Sequence, residues 1–213
     1  MSLRRCTTAK VLKPACSGCP AVEDGPDYWA DYTSPTIRLP DGTFVVDSLA
    51  IAERLEALHP VPSIHLEAGV HKDALDAIQA TAWALFPGLQ QTVQQNVLPP
   101  RSAAWFAEDR RKRFGMTLEQ LAAKSGGEQA WEAAAGPGGC FEQLRSVLQK
   151  HKTDKGSFIL GSRVSYGDFV IASMFECIRR VQPGQEVYNR LMRQEPIFHD
   201  LHQACKTWLE RDN

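Results

Sequence analysis

The chain has 213 residues, 43% of them hydrophobic, and a formal net charge of −1. A chain of this length can bury a sizeable core, and its even charge balance excludes a global bias toward nucleic acid or membranes. No apolar run reaches the roughly 18 residues of a membrane span, and no apolar stretch follows the basic N-terminus as it would in a signal peptide. We therefore expect a cytoplasmic protein without nucleic-acid or membrane partners.

Residues 1–31 predict little regular structure: one short strand around residues 7–12, then Pro, Gly and Cys that are typical of loops. Cys16 and Cys19 form a C-x-x-C motif, which in a redox enzyme stands at a helix N-terminus. Pro35 follows too soon for the elements that such an enzyme places between them, so a loop with reduced, spare thiols is favoured and a dithiol site is the alternative. The motif lacks the second pair of a zinc site, and the sequence predicts no bound metal.

Residues 32–58, YTSPTIRLPDGTFVVDSLAIAERLEAL, predict a β-hairpin followed by a helix. Residues 36–39 and 43–46 are β-prone, and the P-D-G between them is turn chemistry. Pro35 lacks an amide proton and can open a strand, and X-Pro bonds supply nearly all cis peptides. With a cis bond, the backbone N–H and C=O of Ser34 would point outward and could pair with a peptide-like ligand.

Asp47 and Ser48 precede a helical pattern with apolar residues at Ile51, Leu55 and Leu58. The simpler interpretation is that Asp47 or Ser48 only caps this helix. The alternative is a carboxylate-binding site, because a helix N-terminus with free N–H groups and a hydroxyl binds anions. The carboxylate could belong to a peptide lying along Ser34.

The remainder of the chain predicts a helical bundle, with helices over residues 72–97, from residue 102 onward with breaks at residues 126–127 and 135–139, and over residues 140–151, 165–180 and 195–210. Ser165 and Asp168 have the spacing of a capping box. Residues 169–178 are too apolar for a surface helix. The sequence therefore places a capped, buried helix in the centre of the bundle.

Three stretches together resemble the glutathione S-transferase superfamily. The order proline, strand, D-G turn, strand, Asp47-Ser48 and helix is similar to the second half of its thioredoxin-like domain. Residues 156–181, GSFILGSRVSYGDFVIASMFECIRRV, resemble its buried capped helix, and residues 105–122, WFAEDRRKRFGMTLEQLA, resemble its fungal classes, especially the fungus-specific A class and etherase-like enzymes. The resemblance implies an α+β protein with two subdomains: a truncated thioredoxin-like half, residues 1–62, and an all-α bundle, residues 70–213.

The segment before Pro35 is shorter than a complete thioredoxin-like half requires. We expect its first strand and first helix to be missing. In the family these carry the Tyr, Ser or Cys that stabilises the glutathione thiolate, so no catalytic residue is assigned. Three explanations stay open: a natively short chain, a start that lies further upstream, or another group that replaces the usual one.

The resemblance implies glutathione as cofactor, held by four residues. The residue before the cis-proline pairs with the cysteinyl backbone of glutathione, and an acidic residue with a serine holds its γ-glutamyl end. The corresponding positions are Ser34, Pro35, Asp47 and Ser48.

The resemblance also implies that large side chains on the first two bundle helices contact the electrophilic substrate. The candidates are Trp83, Phe86, Trp105 and Phe106, with core or dimer contacts as the alternative. Arg110 matches the arginine of the fungal pattern and faces either ligand or, with its basic neighbours, solvent.

The implied function is addition of a glutathione thiolate to an electrophilic small molecule, as in a conjugating transferase. The first alternative is reversible addition to a conjugated alkene, which makes the protein a trans/cis isomerase of fungal secondary metabolism. The second alternative is a non-catalytic interaction module. The family also implies a homodimer.

Overall fold

The computed structural model of the chain describes residues 35–182 and 184–210. Its contacts divide the chain into two compact units, Met1–Ser63 and Ile64–Asn213. The predicted strand at residues 7–12, the C-x-x-C motif, the expected loss of a first strand and helix, and Ser34 all lie outside the described residues.

The described part of the first unit is a hairpin and one helix. Strands β1 (Thr36–Arg38) and β2 (Phe44–Val46) pair antiparallel, with Ile37 opposite Val45. The turn between them requires a positive φ, which glycine adopts without a steric penalty, and Gly42 has a φ of 90°. Helix α1 (Ser48–Leu58) follows directly, and its Ile51 joins Ile37 and Leu39 in a small buried cluster. The predicted hairpin and helix are confirmed.

The second unit is helical over most of its described length. A 3₁₀ turn (Leu66–Ala68) leads into α2 (Val70–Asn96), α3 (Pro100–Phe114), α4 (Leu118–Ser125), α5 (Gly127–Ala135), α6 (Cys140–Lys150), α7 (Tyr166–Val181), α8 (Glu186–Gln194) and α9 (Pro196–Leu209). Helix α2 continues through Pro87, whereas the prolines that open α3 and α9 occupy first-turn positions, where the missing N–H costs nothing. No helix within residues 35–182 and 184–210 is long and apolar enough to cross a membrane.

Helix α7 lies in the core, as its apolar sequence predicts, with Ile171, Phe175 and Ile178 fully buried. The predicted capping box at its start is confirmed. Asp168 accepts hydrogen bonds from the N–H and Oγ–H of Ser165 and from the N–H of Ile159, each at 2.7 Å. Burial raises the pKa of Asp168, and these hydrogen bonds oppose the shift. The carboxylate therefore joins the start of α7 to the preceding loop.

Helices α3 and α4 occupy the region from residue 102 to the predicted break at Gly126 and Gly127, where the sequence predicts a single helix. The difference arises at Gly115, which ends α3 with a φ of 68°, and at Thr117, which starts α4 with its own capping box. Helix α8 was not predicted. It begins after Gln185, a non-glycine residue with a φ of 55° that sequence patterns do not reveal.

Candidate functional site

The start of α1 has an unusual backbone conformation at Asp47. Its φ of 79° and ψ of 138° lie outside the regions that side-chain-bearing residues prefer. Its Oδ1 accepts from the N–H of Leu49 at 2.8 Å and from the N–H of Ala50 at 3.4 Å. Asp47 is therefore the N-cap. A positive φ at a non-glycine residue costs about 1–3 kcal/mol and often marks a functional site.

Ser48, the first residue of α1, is exposed beside this cap. Within the described part of the chain, its N–H, its hydroxyl and Oδ2 of Asp47 have no hydrogen-bond partner. The N–H and hydroxyl can donate to a carboxylate at the positive end of the helix. Oδ2 can accept from an ammonium group. Together these groups complement the two charged groups of an α-amino acid.

The other two residues of the predicted glutathione clamp are Ser34, which lies outside the described residues, and Pro35. Pro35 is exposed immediately before β1. The Ser34–Pro35 bond involves a residue outside the described range, so its predicted cis form stays a prediction. Among the bonds that the structure describes, the cis bond joins Val61 and Pro62.

The five predicted substrate-contacting residues occupy different environments on α2 and α3. Trp83 and Trp105 are 57% and 50% exposed. Phe86 is partly buried against the main core of the bundle. Phe106 is partly buried beneath Arg110, whose Cζ lies 4.5 Å from the ring centroid.

Arg110 differs from the basic residues that follow it. Its Nε donates to Oε1 of Gln90 on α2 at 3.2 Å, and its Nη1 pairs with Asp109. Burial lowers the pKa of Arg110. Arg111 and Lys112 therefore face solvent, which was one of the two expectations for this basic run, whereas Arg110 joins α3 to α2.

A polar cleft of about 330 Å³ lies among α2, α3 and α4, and sequence reasoning did not identify it. Its lining is Gln91, Gln94, Gln95, Ala104, Ala107, Glu108, Arg111, Thr117, Leu118 and Glu119. The sequence feature that could have indicated the cleft is the set of three glutamines on α2 at positions i, i+3 and i+4, because residues with this spacing share a helix face. The side chains are suited to hydrogen bonding rather than to covalent chemistry.

A second cleft, of about 350 Å³, contains a buried polar network from α7, α8 and α9. Tyr188 Oη lies 2.7 Å from Nδ1 of His202, whose Nε2 lies 3.3 Å from Glu176. Hydrogen bonds from Arg179 and Arg180 lower the pKa of Glu176 to about 2, and burial lowers that of His202. No group of three or more metal-ligating side chains occurs in residues 35–182 and 184–210.

The bundle sequence matches a known family. Residues 75–208 match the model described as "Glutathione S-transferase, C-terminal domain". That match spans more than half of the chain, which therefore belongs to the glutathione S-transferase family. Comparison with curated proteins finds no match.

Solved structures of fungal glutathione transferases share the fold. GSTFuA2 from Phanerochaete chrysosporium has 26% identity and a TM-score of 0.72, and GSTFuA3 from the same fungus has 25% and 0.71. CsGST63524 of Ceriporiopsis subvermispora, solved in complex with glutathione, has 24% and 0.72. Each similarity covers 96% of this chain and 81% of the other. The predicted α+β glutathione S-transferase fold, with a partial thioredoxin-like half before an all-α bundle, is confirmed.

Proposed function

We propose that the chain binds glutathione at the N-terminus of α1 and that the bound thiolate adds to an electrophilic small molecule. The observation that carries the proposal is the exposed start of α1. There Asp47, whose backbone is strained, presents a carboxylate acceptor beside the N–H and hydroxyl donors of Ser48. Membership of the glutathione S-transferase family and a glutathione complex among the structural neighbours support it.

The γ-glutamyl end of glutathione carries an α-carboxylate and an α-ammonium group. In the proposed complex the carboxylate accepts from the N–H and hydroxyl of Ser48, where the helix dipole also favours negative charge. The ammonium group donates to Oδ2 of Asp47. Ser34 and Pro35 remain the proposed contacts of the cysteinyl backbone.

The reaction requires the thiol to lose its proton to solvent before sulfur forms a bond to the electrophilic carbon. That bond forms either as a leaving group departs from the carbon with its electron pair or as an activated double bond opens, whose other carbon then takes a proton from solvent. The chain's proposed contribution is to hold glutathione in place and to bind the electrophile through Trp83, Phe86, Phe106 and Arg110. Trp105 lies about 100° around α3 from Phe106, and its half-exposed indole is part of the solvent-facing side of that helix. No residue is assigned to thiolate stabilisation.

Calorimetric titration with glutathione tests the clamp. Wild type should show saturable binding, and Ser48→Ala and Asp47→Ala should each weaken it by about 1–3 kcal/mol, because each leaves a ligand group unpaired. Asp76→Ala is the matched control, since Asp76 is an exposed carboxylate on α2. No binding by wild type would overturn the proposal and favour a non-catalytic interaction module.

Product analysis then distinguishes the two reaction types. With an activated alkene as substrate, accumulation of a glutathione adduct identifies a conjugating transferase. Change of alkene geometry with no net consumption of glutathione identifies the isomerase alternative, in which sulfur adds, the former double bond rotates and sulfur leaves.

Sedimentation velocity tests the proposed homodimer.

A further inference from the structure

One face of α3 presents five exposed residues to solvent. They are Arg101, Trp105, Glu108, Arg111 and Lys112, called here the α3 stripe. Their spacing places them along one side of the helix over about 16 Å. Trp105 is 50% exposed, and the side chains of Arg111 and Lys112 are 58% and 71% exposed. None of the residues of α3 is buried.

The α3 stripe is positively charged although the whole chain has a net charge of −1. It contains three cations and one anion. Glu108 is bound within the stripe, by Nε and Nη2 of Arg111 at 3.0 Å and by Nζ of Lys112 at 3.5 Å. One carboxylate is therefore shared by two cations. This leaves a local excess of positive charge beside an exposed indole.

The turn that leads into α3 adds apolar surface next to Arg101. Val97 is 52% exposed, and Pro99 and Pro100 are exposed. Indole rings with nearby cations and aliphatic groups are characteristic of segments that lie at a membrane–water interface. The indole combines an apolar body with an N–H donor, which suits the headgroup level.

We propose that the α3 stripe and the turn at residues 97–100 dock peripherally on an acidic phospholipid surface. In this arrangement α3 lies in the plane of the surface, Trp105 and Val97 enter the headgroup layer, and Arg101, Arg111 and Lys112 contact lipid phosphates. Although Glu108 and Arg111 also border the cleft among α2, α3 and α4, the cations and the indole lie along one helix with an apolar turn at its end. This arrangement suits an acidic lipid surface, on which a helix lies in the plane of the headgroups. Peripheral docking would bring the protein to apolar electrophiles that partition into lipid.

Vesicle sedimentation of the full chain tests the proposal. Vesicles of phosphatidylcholine alone are compared with vesicles containing about 30 mol% phosphatidylserine, a composition that gives a negative surface potential. Each cation near such a surface strengthens binding about fivefold, so a net charge of +2 predicts about 25-fold tighter binding to the acidic vesicles. Added salt should remove most of this preference.

The double variant Arg101→Glu with Lys112→Glu should abolish the preference for acidic vesicles. The control, Lys72→Glu with Lys155→Glu, makes the same charge change at exposed lysines of α2 and of the loop before α7 and should retain it. Trp105→Ala should weaken binding to acidic vesicles at every salt concentration. Circular dichroism melting of each variant confirms folding.

Three outcomes would overturn the proposal. The first is equal or absent binding of wild type to the two vesicle types. The second is loss of the preference in the control as well as in the stripe variant, which would show that only global charge matters. The third is a dimer that the stripe variant converts to a monomer while lipid binding stays unchanged, which would assign this face to a second copy of the chain.

Discussion

Replacing Asp47 with glycine should separate the stability of the first unit from ligand binding. Asp47 caps α1 through Oδ1 while holding a φ of 79° and a ψ of 138°. Glycine populates positive φ without a steric penalty, and glycine is also an acceptable N-cap. The substitution removes the proposed ammonium acceptor but also removes the backbone strain.

The expected magnitude follows from three opposing contributions. Relief of strain at this backbone conformation stabilises the fold by about 1–3 kcal/mol. Loss of the side-chain cap to glycine costs only a few tenths of a kcal/mol, and the greater freedom of glycine in the unfolded chain costs about 0.5–1 kcal/mol. We expect Asp47→Gly to stabilise α1 by about 1 kcal/mol. Asp47→Ala keeps the strained Cβ and loses the cap, so it should destabilise α1 by about 1 kcal/mol.

Amide hydrogen exchange at Ile51, which is buried on α1, measures the local effect. Exchange should slow about fivefold in Asp47→Gly and accelerate about fivefold in Asp47→Ala. Calorimetry should show weakened glutathione binding in both variants, since both lack the carboxylate. In the glycine variant α1 therefore becomes more stable while glutathione binding becomes weaker, as expected where a site has retained strain for function.

Two results would refute this reasoning. If Asp47→Gly accelerates exchange as much as Asp47→Ala does, the backbone at Asp47 is not strained and the cap dominates. If either variant binds glutathione as tightly as wild type, the Asp47 carboxylate is not part of the clamp.

The remaining predictions concern the bundle. Asp168→Ala should lower the free energy of urea unfolding by about 3 kcal/mol, because it leaves two buried N–H groups without acceptors. Ser173→Ala, at an exposed helix position, should change it by less than about 0.5 kcal/mol, and equal effects would contradict the assigned role. The lowered pKa of Glu176 contributes stability that is present above pH 4.5 and is lost as the pH falls toward 2. Glu176→Gln should remove about 2 kcal/mol of that acid dependence, and an unchanged pH profile of unfolding would contradict this. His202, whose pKa is lowered by burial, should add a loss of stability below pH 6.5 that His202→Gln removes. Arg110→Ala should lower the melting temperature by about 2–6 °C, since it loses the hydrogen bond to α2 and the contact with a ring, and no change would show that Arg110 does not join the helices.

The hairpin, the α1 cap and the capped α7 could be predicted because each depends on neighbours in sequence. A D-G turn selects glycine where φ is positive, and Asp47 lies within reach of the amides two and three residues later. Ser165 and Asp168 satisfy each other across three positions. Such local hydrogen bonds form in much the same way wherever the segment lies.

The role of Arg110 could not be predicted in the same way. The run of basic residues from Arg110 to Arg113 gives no reason to distinguish its first member. Only packing of α3 against α2 places Gln90 next to its Nε, whereas the ring of Phe106 lies beneath the guanidinium through i, i+4 spacing within α3 itself. The exposed stripe on the opposite face of α3 follows from the same packing, because that packing decides which side of the helix meets water.

The sequence by itself determined the hairpin, the helix that follows it and the capped start of α7, since these depend on short-range chemistry, and its motifs already resembled the family. Tertiary structure decided the backbone strain at Asp47, the division of α3 into an inner and an outer face, and the meeting of Glu176, Tyr188 and His202 from three helices. Residues far apart in the chain interact only after the core has packed. Burial, and with it the pKa of each buried group, is therefore a property of the assembled bundle rather than of any one segment.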